Sequence, residues 1–418
     1  MYRILQGQIT FTSQHQHVLR ETVMDEKSPG TILRDFGTFL TYFQEQRRPL
    51  TDKHQLKLKD LSTLNARMTH PIAHGLRRPQ QKSFPHLNGL YLLLRASGLT
   101  YVDSAGKTPV LVVDEALYEV WQAMNPAECY GTLLETWLLR GRPEIIGEHD
   151  SAWRTVPDTF GEWGYFFTQI PDVGLAVAGN QLADERIRFF LGWHHLGLLE
   201  LFGLVNVWPA PPQPGKAWLV ERVARTPLGD ALLGLLYAKF FSDFDNILAL
   251  EDADDSVSFG ALQPVLQPYC PAWQTVLRPP DVIFREGLYV FKVVLWKGVW
   301  WRIAISADCV LDDLAYAILR AVKFGSDHLH RFSYQNRYGV WKAVNHSYME
   351  EGPWTDEVRI GDLPLRIGQT MDYLFDFGDS WHFAVTLERI DLVDATMQKA
   401  TILEAHGTPP EQYAPYES

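Results

Sequence analysis

The stretch that decides the fold of the N-terminal half is residues 87–113, which read LNGLYLLLRASGLTYVDSAGKTPVLVV. The largely apolar run Leu87–Ser97 has the length of a helix, and Gly98 is placed to end it in a left-handed turn. Two short apolar runs follow, 99–102 and 110–113, and the residues between them include Asp, Ser and Gly. Strand-forming runs on either side of such a turn predict a two-stranded hairpin.

Two further helices are predicted upstream of this stretch. Residues Thr31–Phe43 carry apolar side chains three or four positions apart, which is the period of an amphipathic helix. A second candidate helix runs from about Lys57 to Met68. Helices that lead into a two-stranded hairpin are typical of a winged helix, so we expect a winged-helix-like module over residues 1–145.

The same order of elements recurs further along the chain, although few residues are identical. A helix is predicted over Arg186–Phe202, and Gly203 follows it as Gly98 follows the earlier helix. Strands are predicted at Leu204–Trp208 and at Ala217–Val220, on either side of a Pro-rich turn. We therefore expect a second winged-helix-like module over residues 146–262.

The remainder of the chain is predicted to form a connector and one further domain. A chain of 418 residues suggests two to four domains. Five prolines between Gln263 and Pro280 predict a Pro-rich connector over 263–288. The acidic run Glu251–Asp255, just before this connector, is expected to be a solvated loop.

The C-terminal domain, residues 289–418, combines short strands with one clear helix. Tyr289–Leu295 and Trp300–Ile305 predict a hairpin, and Leu311–Phe324 predicts an amphipathic helix. Further strands are expected at His328–Phe332, Val358–Ile360, Met371–Phe375 and Trp381–Leu387. The predicted fold class is therefore α+β, with helical winged-helix-like modules followed by a β-grasp-like α+β domain.

The charge of the chain is unevenly distributed. The net charge is −12, which argues against uniform affinity for nucleic acid. Residues Gln44–Arg95 nevertheless hold ten basic and three acidic side chains, so this segment is +7 and the remainder is −19. A local basic zone on an acidic protein is a better indication of a binding surface than the total charge.

Composition also limits which cellular compartment and which cofactor chemistry can be expected. The three cysteines, Cys129, Cys270 and Cys309, are far apart in sequence and match no metal-binding spacing, so they are read as free thiols in a reducing compartment. We found no signal-peptide pattern and no apolar run of about 20 residues. A cytoplasmic, soluble protein without a membrane partner is expected. Since no GxGxxG, P-loop or Gly-x-Ser-x-Gly motif is present, no cofactor is expected.

Two groups of polar residues in the C-terminal domain could carry chemistry. On a strand, His328 and His330 would share one face and could chelate a metal, with Asp376 or Asp379 completing the ligand set. The alternative is that both histidines form hydrogen bonds within an aromatic core. Asp376 and Asp379 could also act as an acid–base pair, but Asp and Gly are equally the residues that a hairpin turn requires.

Several blocks of this domain are similar to those of a known family. They are Trp301-Arg302-Ile303, the helix around Leu311–Phe324, His328–Phe332, Tyr373–Trp381 and Pro409-Pro410-Glu411. In this order they resemble the plasmid pRiA4b ORF-3-like domain family over about Tyr289 to Tyr413. The resemblance implies an α+β fold, an association with mobile elements and no established biochemical activity.

One position departs from the pattern that the family implies. The family usually places a histidine two residues after the tryptophan of its Gly-Asp-x-Trp segment, where this chain has Phe383, and the neighbouring histidine is His382. Since side chains alternate along a strand, His382 is expected on the face opposite Trp381, Phe383 and Val385. This puts in doubt any site that requires the family histidine.

The leading hypothesis is a non-enzymatic binding protein whose winged-helix-like modules contact DNA or a protein partner. The basic residues expected to make this contact are Arg47, Arg48, Lys57, Lys59, Arg77, Arg78 and Lys82. The predicted helix Leu87–Ser97 has Arg95 as its only basic residue, so contact with phosphates is favoured over base reading. The alternative is a metal-dependent or hydrolytic enzyme in the C-terminal domain, and a purely structural adaptor is a third possibility. The sequence leaves the oligomeric state open.

Overall fold

A computed structural model of the chain describes residues 9–148, 156–240, 259–392 and 399–413. The chain divides into two compact units. The first contains the residues up to Tyr101 together with Val110–Pro279, and the second contains Val102–Pro109 together with the residues from Pro280 onward. The acidic run Glu251–Asp255 lies outside the described residues, so its prediction as a loop remains untested.

The first unit is mostly helical and carries two small sheets. Its helices are α1 (Ser13–Glu21), α2 (Ile32–Gln44), α3 (Leu58–Arg67), α4 (Pro85–Ala96), α5 (Glu115–Ala123), α6 (Pro126–Glu135), α7 (Val156–Thr168), α8 (Gln181–Arg186), α9 (Trp193–Leu201), α10 (Pro227–Lys239) and α11 (Gln263–Leu266). Its strands are β1 (Arg48–Pro49), β2 (Thr100–Asp103), β3 (Val110–Val113), β4 (Leu175–Ala176), β5 (Val205–Pro209) and β6 (Val220–Arg225).

The elements predicted around residues 87–113 are present. Helix α4 is followed by Gly98, whose φ of 77° is the left-handed conformation expected there. Strands β2 and β3 then lie side by side in a three-stranded sheet of order β1-β3-β2. Helices α2 and α3 begin and end within one or two residues of their predicted bounds.

The second half of this unit repeats the arrangement, with two corrections to the prediction. Its sheet has the order β4-β6-β5, and Gly203 has a φ of 73°. The prediction of one helix over Arg186–Phe202 was wrong, because the chain forms α8, a π-helical turn and then α9, with Gly192 at a φ of 89° between them. The return strand also begins at Val220, later than predicted.

Helices α4 and α9 pack closely on each other in the interior of the first unit. All twelve residues of α4 are buried. A Cβ atom at Gly89 would lie 2.7 Å from Leu198 Cγ, and one at Gly197 would lie 3.1 Å from the backbone nitrogen of His86. Because the two glycines face the partner helix without side chains, the helix backbones can approach each other closely.

The Pro-rich stretch belongs to the first unit as far as Pro279. Trp273 is 1% exposed and covers Gly131 of α6. Glu128 Oε1 accepts a hydrogen bond from the Thr275 backbone nitrogen at 2.7 Å, and Glu135 accepts backbone hydrogen bonds from Gly260 and Leu262. Two buried carboxylates of α6 therefore hold this stretch in place.

The second unit contains one sheet and one long helix. Its strands are β7 (Leu288–Trp296), β8 (Val299–Ser306), β9 (His330–Gln335), β10 (Trp341–Asn345), β11 (Thr370–Phe375), β12 (Trp381–Asp391) and β13 (Thr401–His406), and its helix is α12 (Leu311–Val322). The strand order is β10-β9-β11-β12-β7-β8-β13, and each neighbouring pair is antiparallel. Helices and an antiparallel sheet confirm the α+β class. A β-grasp-like topology stays a prediction.

The core of the second unit lies between α12 and one face of this sheet. Ile318 of α12 is fully buried in the same cluster as Phe291, Ile303, Tyr373 and Phe383. The predicted hairpin and helix of this domain are confirmed. The strand predicted at Val358–Ile360 was wrong, since a 3-10 turn at Ile360–Asp362 occupies this region instead.

No helix in the described parts of the chain is both long and apolar enough to cross a membrane.

Candidate functional site

The exposed residues of the basic zone predicted from the sequence lie on α3 and on the loops before and after it. We call the side chains Arg47, Lys53, Lys57, Lys59, Arg77, Arg78 and Lys82 the basic surface; Lys57 is half-buried and the others are exposed. The backbone nitrogen of Leu56 donates to Gln81 Oε1 at 2.8 Å. This bond places the chain segment of Lys57 beside that of Lys82, although 25 residues separate them in sequence.

Two basic residues of the zone are held by other side chains. Arg48 lies 3.9 Å from Asp60 and its guanidinium is 4.2 Å from the centre of the Tyr42 ring. Arg95 is 3% exposed and donates to the Tyr91 hydroxyl at 3.2 Å. Arg48, which we predicted as a contact residue, therefore has partners within the fold, and its contact with nucleic acid or a protein partner stays a prediction.

Acidic residues of the same zone add little negative charge to this surface. Asp60 is 2% exposed and accepts a hydrogen bond from the Tyr42 hydroxyl at 2.7 Å. Burial, followed by this hydrogen bond to Asp60, raises the pKa of Tyr42 to about 12. Glu45 is 3.8 Å from Arg67, so its charge is partly offset. Asp52 is the exposed carboxylate that directly borders Lys53.

Helix α4 is not available to enter a nucleic-acid groove. It is the helix before the hairpin, which would be the reading helix of a winged-helix protein, and its whole length is buried. The basic surface lies instead on α3 and on the loops on either side of it.

The two histidines of the predicted metal pair have different partners. His328 precedes β9, with Nε2 2.8 Å from the Tyr413 hydroxyl and Nδ1 3.5 Å from Asp376 Oδ2. His330 begins β9 and is 5% exposed. Its Nε2 lies 3.2 Å from Thr355 Oγ1 and 3.4 Å from Asp312 Oδ1. Because His328 lies before the strand, the argument that alternation puts both on one face does not apply.

The aspartates of Asp376–Asp379 form a turn. Asp376 has a φ of 55°, and its Oδ1 accepts the backbone nitrogen of Gly378 at 2.9 Å. The backbone nitrogen of Ser380 donates to the Asp376 carbonyl at 2.6 Å. This geometry matches the turn interpretation. A catalytic role for Asp376 and Asp379 stays a prediction.

Sequence reasoning missed a polar cluster around His330. Asp312 comes from the first turn of α12, and Thr355 comes from the loop after β10. The rings of His330 and His346 are 4.6 Å apart and nearly perpendicular. The hydrogen bond from His330 lowers the pKa of Asp312, while burial lowers that of His346. No sequence spacing connects these residues, because three separate segments bring them together.

A buried tyrosine completes this cluster. Tyr373 of β11 is fully buried, and its hydroxyl has no hydrogen-bond partner among the described residues. Burial raises its pKa well above the ordinary value, and Asp312 adds to this effect. Within the described residues, no three His, Cys, Asp or Glu side chains are grouped as metal ligands would be. The predicted metal pair stays a prediction.

The predicted departure at Phe383 is seen in the structure. Phe383 is fully buried, whereas His382 is exposed and lies 3.1 Å from Asp372. The two side chains are therefore on opposite faces of β12, as strand alternation requires. His382 cannot substitute for a histidine at position 383.

Comparison with known proteins identifies only the C-terminal part of the chain. Residues 288–416 match the family model described as plasmid pRiA4b ORF-3-like protein, which confirms the predicted resemblance. A crystal structure of a protein of unknown function from Methanosarcina mazei is 21% identical over an alignment that covers 30% of this chain and 72% of that chain, with a TM-score of 0.27. No curated protein matches the chain.

Proposed function

We propose that this chain is a non-enzymatic nucleic-acid-binding protein whose basic surface contacts phosphates without reading sequence. The observation that carries the proposal is the clustering of Lys57, Lys59 and Lys82 around the start of α3, on a chain of net charge −12. Basic side chains that neutralise phosphates supply affinity that is independent of base sequence. A local positive field on an acidic protein confines that affinity to one surface.

The arrangement of the first unit supports winged-helix-like modules as the framework. In each half a helix, a short strand, two helices and two longer strands follow in that order, and the short first strand pairs with the third. Winged-helix proteins usually insert the last of the three helices into a groove. Here α4 and α9 occupy that position and are packed on each other. We therefore assign the contact with nucleic acid to α3 and its loops.

Titration of the full chain into fluorescein-labelled 20-base-pair duplexes of two unrelated sequences tests the proposal. Fluorescence anisotropy gives the dissociation constant at several salt concentrations. We expect equal affinity for both duplexes and a linear fall of log affinity with log salt, at about 0.9 per neutralised phosphate. Four contacts would give a slope of roughly −4.

A matched pair of double variants locates the contact. Lys59→Ala/Lys82→Ala removes two exposed lysines of the basic surface, whereas Lys27→Ala/Lys239→Ala removes two exposed lysines of the first unit that do not belong to it. The first pair is expected to reduce the slope by roughly 2, and the second pair to leave it unchanged. Equal effects of the two pairs would disprove the assigned surface. Absence of salt-dependent binding would instead favour a protein partner.

A further inference from the structure

A cavity of about 370 Å³ lies in the first unit beside the contact between α4 and α9. Its wall is assembled from the start of α2, the end of α3, the start of α4, the end of α9 and strand β5. The polar residues that line it include Thr31, Asp35, His70, His86, Glu200 and Asn206. This volume falls in the range of small-molecule sites in proteins.

One carboxylate of the wall is buried without a cationic partner. Asp35 is 1% exposed, and its Oδ1 accepts hydrogen bonds from Thr69 N and Thr69 Oγ1, both at 2.8 Å. Its Oδ2 accepts one from Thr31 Oγ1 at 2.7 Å. These donors are neutral, and no described Lys, Arg or His forms an ion pair with Asp35. A buried charge of this kind is stabilised when an opposite charge comes near.

The second carboxylate of the wall has one imidazole as its partner. Glu200 Oε2 lies 2.7 Å from His86 Nε2, across the contact between α9 and α4. His86 is 5% exposed. The His86 ring has one buried polar atom, Nδ1, without a hydrogen-bond partner in the described residues.

The remaining lining combines apolar surface with an indole. Met68, Leu201, Val205 and Val207 contribute aliphatic groups, and Trp208 is 37% exposed at the same wall. The Arg222 guanidinium covers one face of the Trp208 ring, 3.7 Å from its centre, so a ligand would stack on the opposite face. No lysine or arginine is among the described residues that line the cavity.

We propose that this cavity binds a small organic cation, an ammonium or guanidinium group on a compact apolar body. Glu200 and Asp35 supply negative charge, the aliphatic side chains take the apolar body, and Trp208 offers an aromatic face. This ligand has the opposite charge to the phosphates that we assign to the basic surface. The cavity is thus a second site, separate in chemistry from the proposed nucleic-acid contact.

Isothermal titration of the full chain with phenethylamine and with 2-phenylethanol, its neutral counterpart, tests the charge requirement. We expect phenethylamine to bind at least tenfold more tightly than the alcohol. Agmatine, which carries a guanidinium group, serves as a second cation. Equal affinity for amine and alcohol, or no binding of either cation at concentrations up to about 10 mM, would overturn the proposal.

Three variants connect this binding to the cavity. Glu200→Gln keeps the size of the side chain and removes its charge, and we expect it to weaken phenethylamine binding at least tenfold. Glu221→Gln, at an exposed position of β6 that is not part of the lining, should leave the affinity unchanged. Asn206→Trp places a large side chain at an exposed position of β5 that lines the cavity, and it should abolish binding.

Thermal unfolding of each variant separates lost binding from lost folding. Glu200→Gln also removes the partner of His86, so its melting temperature is measured without ligand. If Glu200→Gln folds and still prefers phenethylamine over 2-phenylethanol as the unmodified chain does, the assigned site is wrong. Retained binding in Asn206→Trp would lead to the same conclusion.

Discussion

The two halves of the first unit share one plan and differ in their surfaces. Both have the same order of helices and strands, and in both the short strand pairs with the last one. In the first half, the Arg67 guanidinium at the end of α3 lies 5.1 Å from the Tyr42 ring centre. In the second half, Arg186 at the end of α8 lies 5.0 Å from the Tyr165 ring centre. The contact between the first and second helices is therefore repeated.

The difference lies on the second helix of each half. Lys57 and Lys59 are at the start of α3, whereas α8 carries Asp184 and Glu185. The third helices α4 and α9 are mostly buried in both halves. The two halves therefore share the order of elements that forms the interior of this unit. They differ in the charge of the second helix.

The largest effect is expected from breaking the contact that the halves share. Gly197→Val would place a Cβ atom 3.1 Å from the His86 nitrogen and 3.1 Å from the Pro85 carbonyl carbon, with two methyl groups beyond it. Overpacking of this kind should lower the free energy of unfolding by about 1–3 kcal/mol. Urea unfolding followed by tryptophan fluorescence measures the change.

Gly37→Ala provides the control for this substitution. Gly37 also lies in a helix, but a Cβ atom there would meet no atom within 4 Å. Alanine should therefore stabilise α2 by about 0.5–1 kcal/mol, since it loses less backbone entropy than glycine. Equal stability of the two variants would show that α4 and α9 are not held as closely as the structure indicates.

A smaller effect is expected from exchanging the charges of the second helices. Lys57→Glu/Lys59→Glu should weaken duplex binding by roughly tenfold or more at low salt, because phosphate contacts are lost and repulsion is added. Asp184→Lys/Glu185→Lys should strengthen binding, since it gives α8 the charge of α3. Fluorescence anisotropy at 50 and 200 mM salt compares both variants with the unmodified chain.

Net charge alone is the competing explanation for such a result. Lys27→Glu/Lys239→Glu changes the total charge by the same amount as Lys57→Glu/Lys59→Glu, but at exposed positions outside α3 and the loops that flank it. An equal loss of binding in this variant would remove the distinction between the two halves. A loss confined to the α3 variant would support it.

The smallest effect is expected from removing the buried hydrogen bond between Tyr42 and Asp60 in the first half. Tyr42→Phe removes the donor to Asp60, which is 2% exposed, and should cost about 1 kcal/mol of unfolding free energy. Tyr165→Phe is the matched change in the other half and should cost less, because Tyr165 is half-buried. Urea unfolding at neutral pH measures both.

The pH dependence of the Tyr42→Phe effect provides a further check. The pKa of Tyr42 is raised to about 12 in the folded chain. Its contribution to the free energy of unfolding is therefore at its full value at pH values below the ordinary pKa of about 10. This contribution is lost as the pH rises from about 10 toward 12. The difference between the unmodified chain and Tyr42→Phe should shrink over that range. A constant difference would contradict the assigned pKa.

Sequence patterns predicted the structural features that depend on residues close together in the chain. The helix over Leu87–Ser97 and the left-handed Gly98 follow from local periodicity and backbone freedom, and both are present. The opposite orientation of His382 and Phe383 follows from strand alternation alone. The predicted helix over Arg186–Phe202 included Gly192, yet the φ of 89° at this glycine separates α9 from the helical turns before it.

Such patterns did not predict contacts between segments that are far apart in the sequence. Nothing near Arg48 in the sequence indicates that Asp60 and Tyr42 hold it. The cluster around His330 depends on Asp312 and Thr355, which belong to a helix and a loop. Whether a polar residue is available for binding is decided by its partners, and those partners are set by the tertiary fold.

The packing of α4 on α9 has a consequence for synthesis of the chain. Residue 96 leaves the ribosome about a hundred residues before residue 193, which at ordinary bacterial and eukaryotic rates corresponds to about 5–20 seconds. During that interval α4 has no α9 to pack against, although all twelve of its residues are buried in the finished protein. The nascent first half is therefore expected to bind chaperones until its second half emerges, and truncation near residue 145 should yield a chain that aggregates.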